Sequence, residues 1–132
     1  MTFSATNLAK VAKPRLPYKS IATIILGSRY RLSLVFTDKK LIRTLNARYR
    51  KKRGPTNVLA FSFAKNEGEL FLCTSIISYE AKSLHVPLRP YVAYIFIHGL
   101  LHLKGERHGS TMKVKERGLL KKFGFRDNPF FP

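Results

Sequence analysis

The chain has 132 residues, 45% of them apolar, including 10 Phe and 6 Tyr. That is enough for one packed core and excludes a mainly disordered chain. Its single cysteine excludes a disulfide framework and a multi-cysteine zinc site, and fits a reducing compartment. Lys and Arg number 25 against 7 Asp and Glu, a formal net charge of +18. Self-repulsion on that scale calls for a polyanionic partner, nucleic acid before an anionic membrane surface.

Residues 1–20 carry Lys10, Lys13, Pro14, Arg15, Pro17 and Lys19 with few large apolar groups. They are predicted as a basic N-terminal segment in which the prolines stop any long element. A single domain is predicted over 21–125, followed by an irregular tail, 126–132. Arg31–Phe36 (RLSLVF) reads as a strand, ending before Thr37-Asp38, a good N-cap pair. A helix follows, with Leu41, Ile42, Leu45 and Tyr49 on one face, ended by Gly54-Pro55.

Asn57–Phe63 and Glu69–Thr74 read as two strands of a hairpin, joined by the polar turn Lys65-Asn66-Glu67-Gly68. Ser75–Leu84 reads as a short helix with Ile77, Ala81 and Leu84 inward. The next helix is predicted to start at Pro90, where a fixed φ and a missing N–H are tolerated, and to stop at Gly105. A last helix, Thr111–Phe123, presents Met112 or Val114, then Leu119, Leu120 and Phe123. Strands in the middle with helices on both sides predict an α+β domain, a small mixed β-sheet of three or four strands packed by helices. The longest apolar run, Val92–Leu103, falls short of the ~20 residues of a membrane span, and Met1–Lys19 lacks the apolar core of a secretory signal. The expected location is the cytoplasm.

Three of the four histidines lie within one short stretch, as His98, His102 and His108. Positions four apart share a helix face, so His98 and His102 can converge on one ion. Gly105 can take a positive φ and turn the chain back, bringing His108 to the same ion. Three imidazoles and no fourth protein ligand leave an open position, the pattern of a catalytic site. Such ligation suits one transition-metal ion: zinc first, with nickel, cobalt and copper as alternatives. The Glu that follows the first histidine in H-E-x-x-H proteases is here Gly99, which argues against that class of peptidase. Cys73, in an apolar strand, reads as a buried hydrophobe rather than a fourth ligand. His85 reads as structural or exposed, and Tyr91 and Tyr94 as core residues.

HGLLHLKGERH at 98–108 resembles the H-G-x-L-H-L-x-G-x-D-H signature of the YbeY family, bacterial endoribonucleases of ribosomal RNA maturation. LNARYRKKRGPTNVLAF at 45–61 resembles the family's L-N-x-x-Y-R-x-x-x-x-P-T-[DN]-V-L-[SA]-F, and Gly68-Glu69-Leu70 stands where it has Gly-Asp-Ile. The resemblance runs from about Leu32 to Phe123. It departs at Arg107, where the family has Asp before the third histidine; Glu106, next to it, is the candidate replacement carboxylate. The first 20 residues are shorter and more basic than the family's.

Arg48, Arg50, Lys51, Lys52 and Arg53 form the densest basic cluster. A helix C-terminus favours one or two cations through its dipole, and the remainder fits phosphate. The resemblance implies that Arg50 faces the metal cleft, where its planar fork would clamp a phosphodiester and stabilise developing charge. Arg48, Lys51, Lys52 and Arg53 are expected to contact the RNA backbone. A second basic set, Lys113, Lys115, Arg117, Lys121 and Lys122, lies on the last helix. By resemblance the chain is expected to be a metal-dependent endoribonuclease preferring single strands. It would act on ribosomal RNA and the small ribosomal subunit, in maturation and quality control. Two alternatives stand beside it: a non-catalytic RNA- or ribosome-binding protein with a metal site, and a metal-dependent hydrolase of a small molecule.

Overall fold

The computed structural model describes residues 1–125, so the predicted tail, 126–132, lies outside the described residues. The order is β1 (Thr2–Asn7), α1 (Tyr18–Leu26), β2 (Arg31–Thr37), α2 (Lys39–Arg50), β3 (Val58–Ala64), β4 (Glu67–Cys73), α3 (Thr74–Ser83), α4 (Leu88–Leu103) and α5 (Ser110–Lys122). The four strands form one mixed sheet, ordered β1-β2-β4-β3. β1 and β4 run parallel to β2, and β3 pairs antiparallel with β4. This is the α+β class expected, with four strands.

β2 and β4 are apolar on both faces because both faces are covered. Leu32, Leu34, Phe36, Leu70 and Leu72 join the main core with α1 and α4, while Val35, Phe71 and Cys73 join Leu59 and Ile42 of α2 in a smaller one. α4 is buried nearly all round, since it crosses the sheet and also packs against α1, α3 and α5. It crosses closest at Gly99: a Cβ there would come within 2.6 Å of Leu70 Cδ1 and 3.0 Å of Val58 Cγ2. Gly99→Ala is therefore expected to lower stability by about 1–3 kcal/mol, the usual cost of overpacking, read as a lower midpoint in denaturant.

Several boundaries differ from expectation. Residues 1–20 are not a segment outside the domain. Thr2–Asn7 pair in register with Arg31–Phe36, and α1 begins at Tyr18, before the expected boundary. β1 was inconspicuous because only Phe3 in it is even partly buried; its ladder comes from β2. α1 buries Tyr18, Ile21, Ala22 and Ile25, a helical spacing that starts directly after Pro17.

The Asp38 side chain caps α2 by accepting from the Leu41 amide at 2.9 Å. The helix ends at Arg50, with Lys51 left-handed at φ 53°, rather than at Gly54-Pro55. Ile42 and Asn46 point inward; Tyr49, expected there, is 60% exposed. The hairpin turn is shorter than predicted, because β4 already starts at Glu67. Gly68 belongs to the strand, where a Cβ would lie 2.9 Å from the Phe61 carbonyl oxygen. Leu84 follows the end of α3 and is exposed. Pro90 is the third residue of α4, not the first, still within the turn whose N–H groups lack helical partners. On α5 the inward residue is Met112, and Val114 is exposed. Among the described residues no helix is long and apolar enough to cross a membrane.

Candidate metal centre

His98 and His102 sit one turn apart on the partly buried face of α4. The helix closes with the Gly105 amide donating to the His102 carbonyl and the Glu106 amide to the Leu101 carbonyl. Gly105 takes φ +100°, which only glycine adopts readily, and the chain turns back. His108 thereby returns to the first two histidines. One ring nitrogen from each of the three lies within 4.8 Å of the others. The Nε2 atoms of His98 and His102 stand 3.1 Å apart.

The other ring nitrogens show why a cation fits. His98 Nδ1 faces the Glu116 carboxylate at 3.2 Å, and His102 Nδ1 faces the Glu106 carbonyl at 3.2 Å. Both partners are acceptors, so each Nδ1 carries the hydrogen. In the neutral rings both Nε2 atoms then present lone pairs to one another with no proton between them. An ion bound at about 2.0–2.1 Å from each nitrogen would hold tetrahedral ligands about 3.3–3.4 Å apart, and the His98 and His102 Nε2 atoms stand close to that separation. Burial, then the neighbouring His98 and His108, push the His102 pKa below its ordinary value, favouring the neutral, ligating form.

Glu116 was not anticipated. It is 2% exposed, on a stripe of α5 with Met112 and Leu120, and it ties that helix to His98. Burial and then this carboxylate push the Tyr94 phenol above its ordinary range. An acidic residue on an otherwise apolar helix face was the available signal. Glu106, expected to replace the family Asp, uses its backbone carbonyl toward His102, while its carboxylate pairs with Lys115. Arg107 is exposed. Carboxylates behind ligating imidazoles fix the ring and raise its basicity. Glu116→Gln is expected to weaken metal affinity about 10- to 100-fold, measured by competition with a chelating dye.

Arg50, at the end of α2, reaches the same place from across the edge strand β3. A cleft of about 430 Å³ is lined by Arg50, by Asn57, Val58 and Ala60 on β3 and the loop before it, and by the three histidines. The loop after Arg50 is pinned. The Lys52 amide donates to the Asn46 carbonyl at 3.3 Å, and the buried Asn46 side chain donates to the Gly54 carbonyl at 3.0 Å. Arg48, Lys51, Lys52 and Arg53 are exposed around it, and none has an acidic partner among the described residues. Of the second basic set on α5, Lys115 is engaged by Glu106. Cys73 is fully buried in the smaller core, outside the histidine cluster. His85 is exposed after α3. Tyr91 is core, and Tyr94 is half-buried beside Glu116 and His98.

A family model described as Endoribonuclease YbeY matches residues 4–124. Proteins named Endoribonuclease YbeY are similar to the chain. That of Neorickettsia sennetsu is 34% identical, the match covering 79% of this chain and 80% of that protein. That of Paraburkholderia phytofirmans is 34% identical, covering 96% and 92%. That of Cupriavidus necator is 34% identical over 76% of this chain, which spans only 54% of that protein's length. A solution structure from Thermotoga maritima has the same fold, with TM-score 0.67 and 21% identity over 92% of this chain and 89% of that one.

Proposed function

The chain belongs to the YbeY endoribonuclease family, and from that premise we propose that it is a metal-dependent endoribonuclease cleaving single-stranded RNA at the histidine cleft. The observation that carries the reading is the convergence of His98, His102 and His108, their outer nitrogens locked, opposite Arg50 in one cleft. The ion is zinc, with nickel or cobalt as alternatives on the same ligands. The RNA is ribosomal, handled with the small ribosomal subunit in maturation and quality control, in the cytoplasm.

When bound, the ion polarises a phosphoryl oxygen and acidifies water toward a pKa of ~7. The chain's own residues do the rest. Glu116 and the Glu106 carbonyl hold two imidazoles with their Nε2 lone pairs facing the cleft. Arg50 offers a forked donor to the phosphodiester and, more strongly, to its transition state. Among the described residues no carboxylate lines the cleft, so none of those Asp or Glu side chains is placed there as a general base. The exposed cations of 48–53 hold the flanking phosphates.

Metal analysis of the purified chain, alongside cleavage of a labelled single-stranded RNA, tests the reading; metal-loaded protein that leaves RNA intact refutes it. The basic loop carries its own expectation. RNA affinity should fall steeply with salt, with a log–log slope of about −0.7 per neutralised phosphate on single strands. Replacing Lys51, Lys52 and Arg53 together by Ala should flatten that slope by about two units. A slope unchanged in the triple variant would make these residues a solvated surface.

A further inference from the structure

The last turn of α2 faces two sides of the edge strand β3. Arg50 lines the metal cleft, while Tyr49, its chain neighbour, lines a separate hollow of about 250 Å³ on the other face of the sheet. β3 divides the same way: Val58 and Ala60 face the metal cleft, and Phe61 and Phe63 the hollow. Its walls are aromatic. Tyr49 meets Phe61 edge-on at 5.6 Å, and Phe61 meets Phe71 edge-on at 5.8 Å. Phe63 stands where the β3–β4 register shifts, and it is 63% exposed, like Tyr49 at 60%. Bulges of this kind re-aim a side chain, and here one aims a large apolar ring into solvent.

Two polar features accompany the aromatic walls. The Arg48 guanidinium lies 5.7 Å over the Tyr49 ring. Glu69 is the one carboxylate that lines it among the described residues, and its Oε2 accepts from the Ser33 hydroxyl at 3.0 Å. The occupant must therefore be flat and apolar on its faces, carry hydrogen-bond donors on its edge, and be joined to anions that suit Arg48, Arg50 and the cations after them. An unpaired nucleobase meets all of these, and duplex RNA, with its bases stacked inside, does not. Of the four bases, only guanine has two adjacent donors on its pairing edge, N1–H and N2–H, for a carboxylate that can only accept.

We infer that the Leu45–Tyr49–Phe61–Phe63–Glu69–Phe71 hollow is a nucleobase subsite that takes an unpaired base, guanine by preference, from the strand whose scissile phosphate lies at Arg50. The inference rests on the proposed RNA cleavage and adds to it what sets the cutting position. Because Tyr49 and Arg50 are consecutive, a base in the hollow belongs to a nucleotide close to the cleaved bond. The strand passes over the edge of β3, which has no neighbour on its outer side among the described strands.

The test compares two labelled RNAs on the full-length, metal-loaded protein: a short uridine-only oligonucleotide and the same one with a single central guanosine. The guanosine RNA should bind about tenfold more tightly, the discrimination one good two-bond contact supplies. Its cuts should cluster beside the guanosine. Phe63→Ala should weaken binding of both RNAs about tenfold, as loss of one stacking surface does. Glu69→Gln should abolish the guanosine preference, so that the two RNAs bind this variant equally. Both side chains are on the surface or partly exposed, so metal content and melting temperature should match the parent. Equal binding of the two RNAs by the parent overturns the guanine assignment. If the parent binds and cuts RNA while Phe63→Ala behaves identically, the hollow is not a base subsite and the cleavage reading stands. A parent that neither binds nor cuts either RNA overturns both.

Discussion

Arg50→Ala is expected to cut turnover on bound RNA about 100- to 1,000-fold, the usual cost of removing one donor aimed at developing charge. The expectation comes from position. Arg50 shares the cleft with all three histidines although it belongs to α2, whose buried side packs on the opposite face of the sheet from α4. A donor that binds the transition state more strongly than the substrate lowers turnover when removed and changes substrate affinity little. Its exposed neighbours lie outside the cleft lining, so Lys51→Ala should do the reverse on a smaller scale. Lysine at position 50 should rescue poorly, because an ammonium cannot reproduce the paired N–H donors of a guanidinium. Metal content should be unchanged, since Arg50 is not one of the three clustered imidazoles. Single-turnover cleavage with RNA binding measured beside it separates the two effects. Normal cleavage of bound RNA by Arg50→Ala would return Arg50 to the general basic surface.

His102→Ala should lose the bound ion, reducing about one equivalent to background in elemental analysis, with RNA cleavage lost alongside. Both nitrogens of His102 are committed, as are those of His98: Nε2 toward His98 at 3.1 Å and Nδ1 toward the Glu106 carbonyl at 3.2 Å. Its removal leaves two imidazoles, one of them on the exposed loop past Gly105. RNA affinity should persist, because Arg48, Lys51, Lys52 and Arg53 lie outside the cleft lining. The variant thus separates binding from hydrolysis. Stoichiometric metal retained in His102→Ala would overturn the ligand assignment.

Glu116→Gln is expected to be milder than either, and that carboxylate could have been suspected from sequence. Met112, Glu116 and Leu120 are spaced along one face of α5, and a lone acid among buried apolar residues calls for a partner. What the spacing could not supply was the partner's identity. Glu106 is close to the histidines in sequence, and proximity favoured it. In the fold Glu106 is occupied by Lys115, and α5 delivers the carboxylate to His98 from eighteen residues away. The N-terminal strand escaped for a related reason. TFSATN buries little of its own surface, so it carries no period, and only pairing with Arg31–Phe36 makes it a strand.

The sequence by itself determined whatever depends on neighbours a few residues apart. The helical spacing of His98 and His102, and Gly105 to return His108, bring three imidazoles together locally, because a helix turn and a left-handed residue have fixed geometry. The Asp38 cap and the two apolar runs around Lys65-Asn66 specify α2 and the hairpin on the same grounds. The tertiary structure alone decided which distant residues meet. It put Gly99 against Leu70 so that α4 could lie on the sheet, brought Glu116 behind His98, and sent Tyr49 and Arg50 to opposite sides of β3. Those meetings depend on how helices and sheet pack. Packing is set by the summed burial of many side chains, which no local pattern records.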